Sequence, residues 1–425
     1  MKKPNKIQPG DFVSVITKKG EEQGILLQSH EQGLILIKLS TGYNVGIKKS
    51  DIKKIKLLKK QEKEKLLPEI KHIGKNRIDI IVTGGTISSR LDSKTGGVKS
   101  LTSPEALINL FPHLAEIIDL RKIEVPFTKL SENMHPKDWI KLAKVVEKSL
   151  NDNQCQGVII THGTDTLHYT SAALSFMLGK LNKPVVLTYS QRSSDRGSSD
   201  AKLNLECSAY VALSDIAEVV LVGHASSEDN FCCVLQGTKV RKLHTSRRDA
   251  FKPVNTLPIA KVFSKGNIEI LRKYHKKNIM KKKIRADTNF SDKVALVKYY
   301  PGQNPDILNY YIKEKYKGII IETTGLGHVS DNWLSTIKKA IKSGVVVCAA
   351  SQTIFGRLDP YIYSTGRELL DAGVIFLEDM LAETAYIKLG WLLGHKNKGI
   401  EIVKKQMLEN FANEFNTKLG NEFLE

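Results

Sequence analysis

Two apolar runs in this chain each end in threonine at a glycine turn. The first is Ile78-Asp79-Ile80-Ile81-Val82-Thr83-Gly84-Gly85-Thr86-Ile87, and the second is Gly157-Val158-Ile159-Ile160-Thr161-His162-Gly163-Thr164-Asp165-Thr166. Each reads as a short buried strand, β-branched and nearly free of charge, that breaks into a tight turn presenting hydroxyls. Ligands of open α/β sheets bind outside the carboxyl ends of parallel strands. Two such strand ends with threonine and aspartate side chains therefore define a candidate active site.

The runs contain T-G-G-T-I at Thr83–Ile87 and T-H-G-T-D-T at Thr161–Thr166. With these motifs the chain resembles the L-asparaginase/glutaminase superfamily from about Arg77 to about His395. Further matching stretches are Leu130-Ser131-Glu132-Asn133-Met134, Gln191-Arg192 through Asn204-Leu205, and Val240-Arg241-Lys242 followed by Phe251-Lys252-Pro253-Val254-Asn255. Gly325-Leu326-Gly327-His328 matches a substrate-facing loop of the family.

Splitting a side-chain amide near neutral pH needs a nucleophile, a base to activate it, and stabilisation of the tetrahedral oxyanion. The chain has no G-x-S-x-G elbow and no cysteine in a protease-like setting, which leaves threonine as the candidate nucleophile. The resemblance implies Thr86 as the attacking hydroxyl and Thr164, Asp165 and Lys242 as a Thr-Asp-Lys relay. It also implies Ser131 and Glu132, with Gly85, as the substrate grip, in which a carboxylate meets the α-amino group of a free amino acid. A lysine, ordinarily near pKa ~10.4, serves as a base at pH 7 only if desolvation outweighs pairing with Asp165. His162 is expected to shape its turn, and Asp195, Arg196 and Asp200 to be structural or interface-forming. The family carries a tyrosine on the lid after its first threonine, but Ser88–Val98 has none and no tyrosine occurs between Tyr43 and Tyr169. The resemblance thus favours a gated glutaminase, with Gly96 and Gly97 as hinge candidates.

The elements that must position these groups are those of parallel α/β architecture, with strands alternating with helical patterns from Arg77 onward. The expected fold class is two asparaginase-type α/β domains with parallel sheets, preceded by a small N-terminal antiparallel β-barrel. Residues 1–56 form the barrel, because strand-like runs at Phe12–Ile16, Gly24–Leu27, Leu34–Leu39 and Tyr43–Ile47 alternate with turns every eight to ten residues. A charged linker covers 57–76, and the first α/β domain 77–260. Within that domain Ser103-Pro104 starts a helix and Asp138–Leu150 is an amphipathic one. A basic connector spans 261–293, the second α/β domain 294–395, and a helix and tail 396–425.

The 425 residues suffice for two or three domains, and a hydrophobic fraction of 41% is ordinary for a globular chain. No run approaches the ~18 apolar residues of a membrane span, and the N-terminus MKKPNKIQPGDF lacks the apolar core of a secretory signal. Five cysteines without a C-x-x-C pair point to reduced thiols in the cytoplasm, with no metal site and no disulfide framework. Of the net charge of +20, residues 1–76 hold +9 (17 Lys less 8 Asp and Glu). A second basic cluster, Arg272–Arg285, has eight positive charges and no acid, and either segment could attract polyphosphate or be a solvated connector.

The N-terminal unit, the lysine linker and Gln191-Arg192-Ser193-Ser194-Asp195-Arg196 narrow the resemblance to one branch, the D subunits of archaeal glutamyl-tRNA(Gln) amidotransferases. That branch implies a glutaminase passing ammonia to an E subunit, which uses ATP and Mg to amidate Glu-tRNA(Gln). It also implies a homodimer core within a heterotetramer and no cofactor on this chain, whose sequence contains no P-loop. The competing readings are a free-standing cytoplasmic L-asparaginase and a non-catalytic RNA-binding scaffold on the same fold.

Overall fold

The structure is a computed structural model that describes residues 7–29, 31–41, 43–60, 76–85, 87, 89–91, 98–100, 111–194, 197–278, 283–418 and 420. The N-terminal unit is an antiparallel sheet of β1 (Phe12–Thr17), β2 (Glu21–Leu27), β3 (Leu34–Leu39), β4 (Asn44–Lys48) and β5 (Ile52–Lys59). Pairing runs in the order β4-β3-β2-β1-β5, and among the described residues no pairing of β4 with β5 closes the expected barrel. Both edge strands carry lysines, which discourage further strand pairing. β5 also takes the first residues assigned to the charged linker into this sheet. Val13, Val15, Ile37 and Ile47 form its small core.

The large sheet comprises β6 (Arg77–Val82), β9 (Asp119–Glu124), β10 (Gly157–Thr161), β11 (Val185–Thr188), β12 (Val219–His224), β13 (Phe231–Gln236), β16 (Ala260–Phe263) and β17 (Ile268–Ile270). Two ribbons lie outside it: β7 (Ser89–Leu91) with β8 (Val98–Ser100), and β14 (Val240–Lys242) with β15 (Phe251–Pro253). The sheet order is β17-β16-β13-β12-β11-β10-β6-β9, parallel from β9 to β12 and antiparallel beyond. β16 and β17 extend this sheet to Ile270, so the first ten residues assigned to the basic connector 261–293 belong to it or to its turn.

Ile78, Ile80, Ile81 and Val82 are fully buried, as are Val158, Ile159 and Ile160. Burying each such side chain contributes about 1.5–3 kcal/mol, which explains the near-continuous apolar runs. The chain passes from β6 to β9 on one side and then returns to β10 on the other. This reversal of strand order opens a crevice at the carboxyl ends of β6 and β10, where both threonine motifs lie.

Helices α1 (Leu114–Ile117), α2 (Pro136–Leu150), α3 (Leu167–Leu178) and α4 (Ala201–Leu213) belong to the large sheet's unit. α2 starts where His135 and Asp138 form a reciprocal capping box, with proline at the first turn. The helix start expected at Ser103-Pro104 lies outside the described residues.

The second unit has a parallel sheet of β18 (Val294–Lys298), β19 (Gly318–Thr323), β20 (Val346–Ser351) and β21 (Ile375–Phe376). Its helices are α5 (Asp306–Lys313), α6 (Trp333–Lys342), α7 (Ser364–Asp371), α8 (Ala382–Leu393) and α9 (Ile400–Met407). α8 packs against α3, and the main core runs through both units. No helix among the described residues is long and apolar enough to cross a membrane.

Candidate active site

β6 and β10 are in register with Val82 beside Thr161, so their two glycine turns emerge side by side. Thr83 seals the junction: its backbone N–H and its hydroxyl both donate to the Thr161 carbonyl, at 3.1 and 2.9 Å. Gly85 lies at φ +85°, and a Cβ there would stand 2.7 Å from the backbone of His162 and Gly163. Only glycine permits both that conformation and that approach. Thr86, the expected nucleophile, lies outside the described residues, as does the tip of the β7–β8 hairpin, with Gly96 and Gly97.

A third loop closes on the same turn. The buried Ser131 hydroxyl accepts the Asp165 backbone N–H at 3.1 Å, and the Thr166 hydroxyl donates to the Ser131 carbonyl at 2.6 Å. Gly163 faces Ser131 so closely that a Cβ would sit 2.9 Å from its side chain. Glu132, the other half of the expected substrate grip, is exposed beside it.

Lys242 reaches this cluster from the β14–β15 ribbon. Its Nζ donates to Thr164 Oγ1 at 2.8 Å and to Asp165 Oδ1 at 2.9 Å. The lysine side chain is 11% exposed and the aspartate 63%, so the lysine is enclosed while the carboxylate faces the open crevice. Opposite Lys242 in the ribbon, Phe251 packs on Tyr189 at 4.6 Å between ring centroids, and the Tyr189 hydroxyl donates to the Arg248 carbonyl at 2.9 Å. Lys242 is thus brought into one hydrogen-bonded group with Thr164 and Asp165, which lie 78 and 77 positions before it in sequence.

His162 is fully buried, which pushes its imidazole down to about 4. Its Nδ1 contacts the Gly163 carbonyl at 2.7 Å, which requires a proton on that nitrogen. Nε2 then accepts from the Thr170 hydroxyl at 2.9 Å, which in turn accepts from Trp139 Nε1–H at 3.1 Å. Both nitrogens are committed to holding the turn, in keeping with the expected structural part. Asp200 is likewise structural, accepting the Gln191 and Arg192 backbone N–H groups and the Ser190 hydroxyl. Asp195 and Arg196 lie outside the described residues.

His168, in the first turn of α3, is pushed down to about 3 by burial first, and then by the cations of Arg241 and Lys242. Unfolded histidines take up protons below about pH 6.5, while these two stay neutral in the fold. Their contribution to stability is therefore complete above about 6.5 and is lost as pH falls towards 4 and then 3. We expect each to add a slope of about 1.4 kcal/mol per pH unit within that window. Urea unfolding at several pH values checks this: His168→Gln should flatten the slope, and an unchanged slope contradicts it.

The basic cluster is partly absorbed into the fold. Arg272 donates to Gln236 Oε1 at 2.6 Å and to the Leu257 carbonyl at 2.9 Å, and burial holds it below its ordinary range. Lys277 is half-buried, whereas Lys273, Lys276, Lys283 and Arg285 are exposed. Lys281 and Lys282 lie outside the described residues. In the second unit, Gly325 and Gly327 take left-handed conformations in the loop whose His328 ring meets Tyr363.

Sequence reasoning did not single out Glu383. This buried residue, in the first turn of α8, pairs with Arg241 Nε at 2.8 Å, one residue from Lys242. Its partner is 142 positions away in sequence, and no local pattern marks it.

Comparison with known families first fixes the class. Residues 77–276 match the family model described as asparaginase, N-terminal, and residues 293–407 the glutaminase/asparaginase C-terminal domain. The solved L-asparaginase of Thermococcus kodakarensis is 29% identical with a TM-score of 0.69, covering 80% of this chain and 100% of that one. L-asparaginase I of Vibrio cholerae gives 27% and 0.68, with 80% and 99% covered. Residues 7–58 in addition match the GatD N-terminal domain. The glutamyl-tRNA(Gln) amidotransferase D subunit of Pyrococcus abyssi is 46% identical, over 97% of this chain and 96% of that protein. Those of Archaeoglobus fulgidus and Methanococcus maripaludis are 45% and 42% identical, over 95% and 97% of this chain and 94% and 99% of theirs. The chain belongs to the family of glutamyl-tRNA(Gln) amidotransferase D subunits.

Proposed function

We propose that this chain is the glutaminase subunit of a tRNA-dependent amidotransferase, hydrolysing glutamine to supply ammonia for converting Glu-tRNA(Gln) to Gln-tRNA(Gln). The observation that carries the reading is the Lys242–Thr164–Asp165 group at the strand-order reversal, in a chain whose amidotransferase relatives match it over nearly its full length. Thr86 supplies the attacking hydroxyl. Lys242 takes a proton through Thr164, and Asp165 orients the lysine and balances its charge when protonated. Attack on the amide carbon breaks the C–N bond, and the returned proton leaves on ammonia. Water then hydrolyses the acyl-threonine to glutamate. Ser131 and Glu132, beside Gly85, grip the α-carboxylate and α-amino groups.

The partner is an E subunit that uses ATP and Mg to activate the glutamyl group. The two proteins assemble in the cytoplasm around a homodimer of this chain within a heterotetramer. A lid without the family's tyrosine lacks one hydroxyl beside the nucleophile, and its two glycines make closure entropically costly. A partner that binds only the closed form raises activity by raising that population. In an ammonia-release assay, the chain alone should hydrolyse glutamine weakly, and E subunit with Glu-tRNA(Gln) should stimulate it at least severalfold. Vigorous asparaginase activity of the lone chain, unaffected by either addition, contradicts the reading and supports a free-standing asparaginase.

A further inference from the structure

Lys242 sits on a ribbon that lies outside the large sheet, so sheet hydrogen bonding does not fix it. Besides its pairing with β15 and the packing of Phe251 on Tyr189, its strand is held by the second α/β unit. Lys239 Nζ pairs with the buried Asp379 at 2.8 Å, just before α8. The Thr384 hydroxyl donates to the Thr238 carbonyl at 2.9 Å. Arg241 pairs with Glu383 at 2.8 Å. Beyond the ribbon, Asn255 and Gly356 exchange two hydrogen bonds of 3.0 Å.

The Arg241–Glu383 contact differs from the rest because it sets charges of both signs one residue along the strand from the base, and Arg241 and Lys242 both act on His168. We propose that Arg241 and Glu383 are positioning residues for Lys242, an ion pair through which the second α/β unit sets both the place of the lysine and the charge balance around it. The inference rests on Lys242 being the base, as proposed above. Lys242 and Arg241 share His168 as an electrostatic neighbour, and several elements pack around that histidine. Asp165 precedes α3, His168 and Tyr169 lie on α3, Glu383 and Tyr386 on α8, and Glu322 at the end of β19. Lys298 of β18 acts on Glu322 alongside Glu383 and Arg241. His168 stays neutral, so the nearby charges that a substitution can unbalance without touching Thr164 or Asp165 are Arg241, Glu383 and Glu322.

The signs follow from charge alone. Glu383→Gln leaves the guanidinium uncompensated, which disfavours the lysine ammonium and extends activity to lower pH. Arg241→Gln leaves the carboxylate uncompensated, which favours the ammonium and withdraws activity to higher pH. For charges about 10 Å apart at an effective dielectric near 20, each displacement is on the order of one pH unit. Thr384→Val removes a clamp contact without changing charge, so it should lower kcat and leave the profile in place.

The test is the pH dependence of ammonia release by the assembled complex at saturating glutamine. It compares wild type, Glu383→Gln, Arg241→Gln, the double variant, Thr384→Val and Lys242→Arg. The expected result is displacement of the acid limb in opposite directions by the two single charge variants, partial return in the double variant, and an inactive Lys242→Arg. Limbs that do not move, or that move in the same direction, overturn the inference while an inactive Lys242→Arg leaves the base assignment standing. An active Lys242→Arg overturns both.

Discussion

Thr164→Val is expected to abolish glutamine hydrolysis by the assembled complex, with amidation from added ammonia surviving. Valine fills the volume of threonine but removes the oxygen to which Lys242 donates at 2.8 Å, so the proton route between lysine and nucleophile is interrupted. A positioned acid–base group contributes about 10²–10⁴-fold in rate, and the loss should fall in that range. Lys242→Arg should match it, because a guanidinium stays protonated at ordinary pH and cannot accept the proton. Steady-state ammonia release, run beside ammonia-supported amidation, separates loss of chemistry from loss of assembly. Near-wild-type release by either variant removes the relay assignment, whereas loss of both activities indicates a broken complex.

The second large effect concerns stability. Lys388 and Glu414 form an ion pair at 2.6 Å with both side chains fully buried. Lys388 Nζ also donates to the Met407 carbonyl at 3.0 Å and lies over the rings of Phe411 and Phe415. Glu414 accepts the Phe411 and Ala412 backbone N–H groups and so shapes the C-terminal turn. Lys388→Met strands a buried carboxylate, and removing one partner of such a pair costs about 3–5 kcal/mol. The same turn presents the Ala412 and Asn413 carbonyls to Gln236, and Asn416 to Asp379 and Asn255, so its loss should also loosen the Lys242 ribbon. Urea unfolding measures the cost, and Glu414→Gln added to Lys388→Met should recover part of it. A loss below about 1 kcal/mol would show that the pair does not hold the tail.

The strands that carry the two threonine motifs were legible because full burial on both faces leaves a sequence almost no choice but Ile and Val. β5 was not, because Ile52-Lys53-Lys54-Ile55-Lys56-Leu57-Leu58-Lys59 mixes strand alternation with enough lysine to read as a linker. β16 and β17 were missed for a related reason: they are short, and the basic cluster just beyond them dominates the composition. The N-terminal strands were readable one by one, but closure depends on which edges pair, and that leaves no mark in a strand's own residues. Lys242 illustrates the limit for the site. Its strand is three residues long and it stands among 65 lysines and arginines, so spacing alone could not select it. Only likeness to a family raised it, and geometry then placed it on Thr164 and Asp165. The Arg241–Glu383 pair had no such aid, since contacts between distant units carry no periodicity.

The central claim is that glutamine nitrogen released at the Thr164–Asp165–Lys242 site becomes the amide of Gln-tRNA(Gln). The most direct measurement supplies the complex with glutamine labelled with ¹⁵N in its side-chain amide, adding unlabelled ammonium only to the variant, and reads the label in the aminoacyl group by mass spectrometry. The label is expected to enter Gln-tRNA(Gln) with wild-type chain and to be replaced by unlabelled nitrogen with Thr164→Val. Unlabelled product with the wild-type chain, or labelled product with the variant, would contradict the claim.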